Sequence, residues 1–422
     1  MILRSHWSLK ATIALFVFAL PFASWAQGPT GPLGADGRPV SSNELGQTRA
    51  ITTAVPFLII APDARSGALA EAGVAVSTGA ASNYWNPSAL AFAERQFGIG
   101  VNYTPWLRAL GIPDIHHAYV PMYYNFGKKG GVLGASLTYF SLGQIQFTDQ
   151  SGNNIGQFDP NEFAISLAYA HKIVNNLSVG VGLRYIRSNL AGSTNIGGQT
   201  SNPGNSFAGD VSLLWVKPFA IKTKKGNLPM EFRLGMNISN IGAKMSYFAT
   251  TRRDFIPTNL RLGYAFKIDI DEYNSIMLTQ DINKLMVPSE GGQADVPLLE
   301  GIFTSFGDAK GGAAEELKEI NTQIGLEYWY NKLFALRMGY FYEHPDKGGR
   351  QFLTLGAGLR FRMFSVDFSY LFSPIQNHPL QNTLRFGINV DIARKGQEDK
   401  GPVFKRGGRS GGADLPPAND NP

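Results

Sequence analysis

The sequence has no cysteine, few charges for its length and, beyond its N-terminus, no long apolar run. Without cysteine there is no disulfide framework, no thiolate-held zinc or iron–sulfur cluster, and no lipid-acylated thiol. Charged residues make up 17% of the 422, against ~25% in ordinary globular domains. Nothing past the N-terminus approaches the ~18 consecutive apolar residues that a spanning helix needs. That scarcity leaves barrels open, because their strands alternate apolar and polar residues and average to neutral hydropathy. Glycine is plentiful instead, at 48 residues, and the net charge of +6 is dispersed among both signs. Such a balance gives no nucleic-acid patch.

Arg4 and Lys10 precede a short apolar run at 11–20, and Ser24-Trp25-Ala26 place small residues at a cleavage position. This predicts a signal peptide over 1–26 and an exported mature chain. Residues 27–50 are rich in Gly, Pro, Ser and Asn and read as a flexible leader.

From 95 to 391 the dominant period is two, the mark of strands with one apolar face. Fourteen segments carry it: 97–103, 117–126, 133–139, 163–169, 177–185, 207–215, 232–238, 260–268, 275–283, 324–328, 334–340, 353–361, 364–372 and 384–390. Short connections near 127–131, 171–176, 270–274, 331–332 and 362–363 alternate with longer ones near 104–115, 141–161, 188–206, 239–258, 284–319, 343–350 and 373–381. The Lys-rich stretch 217–229 is too long for that rule. The fold expected is all-β, a fourteen-stranded antiparallel transmembrane β-barrel over 95–391, with tight turns at one rim and long loops at the other. An even strand count places both termini on the periplasmic side of an outer membrane.

Arg184, Asp210, Arg233, Arg261, Glu327, Arg337, Arg360, Asp367 and Arg385 fall within these segments, each on the parity opposite the apolar residues. A lipid-facing Arg or Lys at the midplane costs about 2–4 kcal/mol, so these charges are expected in the lumen. Aromatics near strand ends (Tyr103, Trp106, Tyr169, Tyr185, Trp215, Tyr328, Trp329, Tyr330, Tyr370, Phe372) suit interfacial girdles. Residues 51–94, dense in Ala and Gly and without the strand period, read as an N-terminal plug. Asp63 either makes a local turn or faces one of Arg233, Arg261, Arg337, Arg360 and Arg385. Asn86, held extended by Pro87, marks a second turn. Residues 392–422 read as a disordered periplasmic tail.

The stretch PFLIIAPDARSGALAEAGVAVS, followed by NYWNPSALAF, resembles the opening of the PorV (LptO) family of Bacteroidetes type IX secretion. The likeness is carried by Pro56, Phe57, Ala61, Pro62, Asp63, Ala64, Arg65, Gly67, Gly73, Trp85, Asn86 and Pro87. It implies a barrel like the fatty-acid transporters and a non-enzymatic outer-membrane adaptor. Such an adaptor receives cargo by its C-terminal signal domain from the translocon SprA and delivers it to the attachment complex containing the sortase PorU. The alternative is an outer-membrane transporter of long-chain hydrophobic molecules. Loop 284–319, with Leu298, Leu299, Ile302, Phe303 and Phe306, either contacts cargo or folds over the barrel mouth. No H-E-x-x-H, G-x-S-x-G, P-loop or dinucleotide fingerprint occurs, so no catalytic residue, metal or cofactor is expected.

Overall fold

The structure, a computed structural model, describes residues 50–396 except 77, 113, 128, 149–153, 193–194, 197–198, 224–225, 249–252, 290–295, 376–377 and 395. The expected signal peptide, the leader up to 49 and the tail from 397 lie outside the described residues.

Alternation produces strands wherever the sequence shows it. The fourteen are β1 (Phe97–Pro105), β2 (Ile115–Gly127), β3 (Gly131–Leu142), β4 (Asn161–Val174), β5 (Leu177–Asn189), β6 (Gly204–Thr223) and β7 (Gly226–Gly242). They continue with β8 (Asn259–Asp269), β9 (Asn274–Leu285), β10 (Asn321–Tyr330), β11 (Phe334–Tyr342), β12 (Gln351–Phe361), β13 (Phe364–Phe372) and β14 (Thr383–Ile392). Each pairs antiparallel with its neighbours in sequence, and β14 closes on β1 from Phe97↔Ile392 to Tyr103↔Phe386. A closed antiparallel cylinder leaves no sheet edge exposed to lipid.

Burial runs opposite to that of a soluble protein. Apolar side chains form the outer surface, with Leu183 73% and Phe207 70% exposed, whereas Arg385 is 1% and Glu327 2% exposed. The wall is therefore built for a hydrocarbon solvent, with its charges turned inward.

Turns at one rim are tight. Asn331 and Lys332 both hold positive φ (53° and 54°), the mirror-image turn geometry that suits the twist of paired strands. The stretch 217–229 departs from expectation: β6 and β7 run on as a hairpin to the pair Thr223↔Gly226. Its connection is as tight as the others at that rim, so the alternation of short turns and long loops has no exception. Polar residues hid this because a ribbon beyond the hydrocarbon needs no apolar face.

At the long-loop rim, two small hairpins form, Ile145–Thr148 with Asn154–Phe158 and Asn195–Ile196 with Gln199–Thr200. The loop joining β9 to β10 carries helices Leu298–Thr304 and Ala313–Lys318. Two of the expected girdle aromatics sit elsewhere. Trp106 is buried in a cluster with Phe57, Ile115, Phe140 and Ile256, and Trp329 lies beneath the guanidinium groups of Arg337 and Arg360.

Candidate functional site

Residues 54–76 and 78–93 pack against inward-facing wall residues as a chain of short turns rather than a regular element. Helical turns form at Pro56–Ile59, Ala64–Gly67, Ser82–Trp85 and Pro87–Phe92. Proline starts two of them, where its missing N–H costs nothing. Asp63 caps the second, accepting from Ser66 N at 2.9 Å. Asn86 is extended (φ −163°) ahead of Pro87 and accepts from Ser88 N, so the Trp85-Asn86-Pro87 stretch is the turn that its sequence indicates.

Small residues let this segment touch the wall. Strand glycines 134, 180, 235, 325, 339 and 356 all face it. A methyl group at Gly180 would lie 2.3 Å from Ser88 N, and one at Gly356 2.3 Å from Ala68 Cβ. Within the segment, Gly73 is pressed against Trp85, whose ring would sit 2.3 Å from an added Cβ. Trp85 packs with Ala61, Tyr84 and Tyr119, while Gly67 lies on Arg385 and Ser369. Pro62 and Ala64 are buried with them, and Pro56 is exposed.

Ion pairs then fix the segment at several points on the ring. Arg65 grips Glu327 of β10 with two bonds, at 2.9 and 2.8 Å. Glu327 also accepts from Arg337 of β11 at 2.6 Å, and Arg337 reaches Asp367 of β13 at 2.7 Å. Glu71 pairs with Arg385 of β14 at 2.8 Å. Asp281 of β9 accepts from Gly73 N and Val74 N at 2.7 and 2.9 Å. Arg261 of β8 stacks on Tyr84 and Trp85 and donates to the Tyr84 hydroxyl. Arg233 of β7 donates to Val76 O at 3.1 Å. A paired, multiply bonded arrangement is what buried charge requires.

Of the two readings of Asp63 the local turn is the one seen, with its carboxylate on Ser66 N, and the arginine partner is not. Its carboxylate faces Trp85, accepting from the indole N–H at 2.5 Å, and none of the five arginines; Arg65 supplies the cross-link instead. Asp281, Glu71 and Tyr84 belong to the same network and were missed. The available signal was an acid on inward parity at 281 and a lone acid in an Ala/Gly-rich stretch at 71.

The remaining lumen charges differ in placement. Arg184 pairs with Asp210 at 2.9 Å and donates to Ser166 and Asn240, so it joins β4, β5, β6 and β7 within the wall. Arg360 shares their inward parity but is exposed, with its guanidinium over Trp329. His117 is buried on the inner face of β2 while adjacent His116 lies on the other, so the two cannot share a ligand. Among the described residues, no three His, Asp or Glu side chains gather as a metal ion would need.

A second feature lies above the mouth. In the loop from β9 to β10, Ile302 is buried and Gly301 rests on Phe255, which is fully buried. Leu298 is half-buried, while Leu299, Phe303, Phe306 and Leu317 are exposed. One side of the loop thus folds over the barrel and the other is bare. The loop is clamped by Lys284 to Glu316 and Glu319 (3.0 and 2.6 Å) and by Lys347 to Glu315 and Glu319 (2.9 and 3.0 Å). Burial works against the Lys347 ammonium, but its hydrogen bonds to Glu315 and Glu319 prevail and raise its pKa.

The family model described as type IX secretion system protein PorV matches residues 43–291. Among solved structures the chain is similar to the toluene transporter TodX of Pseudomonas putida, at 14% identity over 79% of this chain and 99% of that one, TM-score 0.45. It is similar also to the toluene transporter TbuX of Ralstonia pickettii, at 12% identity over 78% and 97%, TM-score 0.42. A FadL homologue of Pseudomonas aeruginosa is similar at 11% identity over 82% and 100%, TM-score 0.43. No curated protein matches.

Proposed function

The chain belongs to the PorV family of type IX secretion system proteins, and from that premise we propose that this outer-membrane barrel is a non-enzymatic cargo adaptor with a sealed lumen. Residues 51–94 are its plug, held by Arg65–Glu327 and Glu71–Arg385. In this reading both termini are periplasmic and the long loops face outward. The adaptor accepts a secreted protein by its C-terminal signal domain from SprA and passes it to the attachment complex containing PorU.

The observation that carries the reading is the occupied interior. A segment cross-linked to β7, β8, β9, β10 and β14 leaves the adaptor's outer surfaces as the place to hold a folded domain. The bare side of the β9–β10 loop, with Leu299, Phe303 and Phe306, is the cargo contact. An exposed apolar cluster of this kind marks an interaction surface. A transporter of long-chain hydrophobic molecules would need an apolar path, and the lumen here is lined by Arg, Asp, Glu, Ser and Thr.

Replacing Leu299 and Phe303 by Ser tests this. The barrel should fold and reach the membrane as before, while cargo carrying a C-terminal signal domain accumulates unanchored. Unchanged surface display of cargo would remove this loop from the contact.

A further inference from the structure

Among the arginines within the barrel strands, Arg184, Arg233, Arg261, Arg337, Arg360 and Arg385 share the inward parity, and Arg187 alone takes the outward one. On β5 the outward line runs Val181, Leu183, Tyr185, Arg187, while Gly182, Arg184, Ile186 and Ser188 between them are buried. Arg187 stands two residues before the end of β5 at Asn189, so it lies at the long-loop rim. A guanidinium facing outward is costly at the bilayer midplane and cheap at the interface, which fits that height. Among the described residues it makes no ion pair and no hydrogen bond.

Its surroundings on the outer face are ordered. Across the sheet Arg187 is opposite Phe163 of β4 and Asn205 of β6. Tyr185 is fixed between Phe163 and Phe207, with ring centroids 6.2 and 5.2 Å away, and its hydroxyl donates to Asn205 Oδ1 at 2.8 Å. Further from the rim, Leu183 is opposite Gly209 of β6, and Gly209 is opposite Ile241 of β7. A methyl group on Gly209 would meet nothing nearer than 3.6 Å, so packing of the wall does not require glycine there. Its bare backbone leaves a trough on the outer face among the exposed side chains of Leu183, Phe207 and Val211.

We propose that this face seats one phosphate-bearing membrane lipid. The Arg187 guanidinium holds two phosphate oxygens through paired N–H donors, the geometry that suits a guanidinium better than an ammonium. An acyl chain then lies in the trough over Gly209. Unpaired charge and bare apolar trough follow one another along a single strand, as headgroup and chain do along a lipid. The inference needs only a membrane-embedded wall and stands apart from the adaptor reading.

Native mass spectrometry of the full chain in non-ionic detergent, mixed with dilauroyl phosphatidate, tests the seat. One phosphatidate should be retained about tenfold more strongly than dilauroylglycerol, which lacks the phosphate. Arg187→Gln should fold, since its side chain has no partner to strand, and should bring phosphatidate down to the dilauroylglycerol level. Arg187→Lys should recover only part of the difference. Gly209→Leu fills the trough and should weaken both lipids. Lys217→Gln removes an outward charge at the opposite rim and should change nothing. Equal retention of the two lipids by the native chain, or undiminished phosphatidate in Arg187→Gln or Gly209→Leu, would overturn the proposal. So would an equal loss in Lys217→Gln, which would reduce the effect to overall charge.

Discussion

Glu327 shows how much rests on single groups in the lumen. It is 2% exposed and accepts from Arg65 and Arg337 together. Removing one member of a buried pair strands the other, at a cost of about 3–5 kcal/mol. Arg337→Ala should therefore lower the melting temperature of the refolded barrel strongly. Arg360→Ala should leave it nearly unchanged, because Arg360 is exposed and meets the ring of Trp329 rather than a carboxylate. Thermal unfolding by circular dichroism distinguishes the two. A second test uses the contact of Gly73 with Trp85. Trp85→Ala should cost about 3–5 kcal/mol as a large-to-small core change. Gly73→Ala should destabilise the native background and be tolerated once the indole is gone, giving a measurable coupling in a double-mutant cycle. The parity of Glu327, Arg337 and Arg385 was legible in sequence because a strand fixes which side a residue faces. Who meets whom was not, since parity says nothing about height along the barrel axis. Asp63 and Arg65 stand two residues apart, yet only the second reaches a wall charge.

Among elements, the strands were the most legible and the loops the least. Strands β1 to β14 announce themselves by alternation that lipid and lumen enforce from both sides. The end of β6 escaped notice because Pro218 and Lys217 interrupt that code where no lipid enforces it. The helices in the β9–β10 loop were equally hidden, since each is only six or seven residues long and held by tertiary contacts. Their clamp makes a prediction. Lys347→Met should leave the barrel folded but raise cleavage of residues 286–320 by an added protease. The pKa of Lys347 is raised in the folded state, so its contribution is fully present below the ordinary lysine range. It is lost only as pH climbs through the raised value. Proteolysis of the native loop should accordingly stay constant through neutral pH and rise in strongly alkaline solution.

For the molecule as a whole, the outward belt sets the solvent it needs. Leu183→Arg places a cation on the face that meets hydrocarbon, and should cost about 2–4 kcal/mol near the midplane. Reversible unfolding in lipid vesicles measures that loss. The occupied lumen makes a separate forecast for planar bilayers. The native barrel should conduct ions poorly, and Arg65→Ala with Glu327→Ala should open a leak.

The inner segment runs directly into β1, and it is also bound to the strand that β1 finally meets. Ala64 N donates to Asn102 of β1, while Glu71 holds Arg385 of β14. The two strands forming the seam thus share one tenant, which bridges their junction from behind. Zipping the cylinder and seating the inner segment become a single cooperative event. A lesion in that segment should accordingly surface as a fault in biogenesis, with unclosed barrels degraded during insertion.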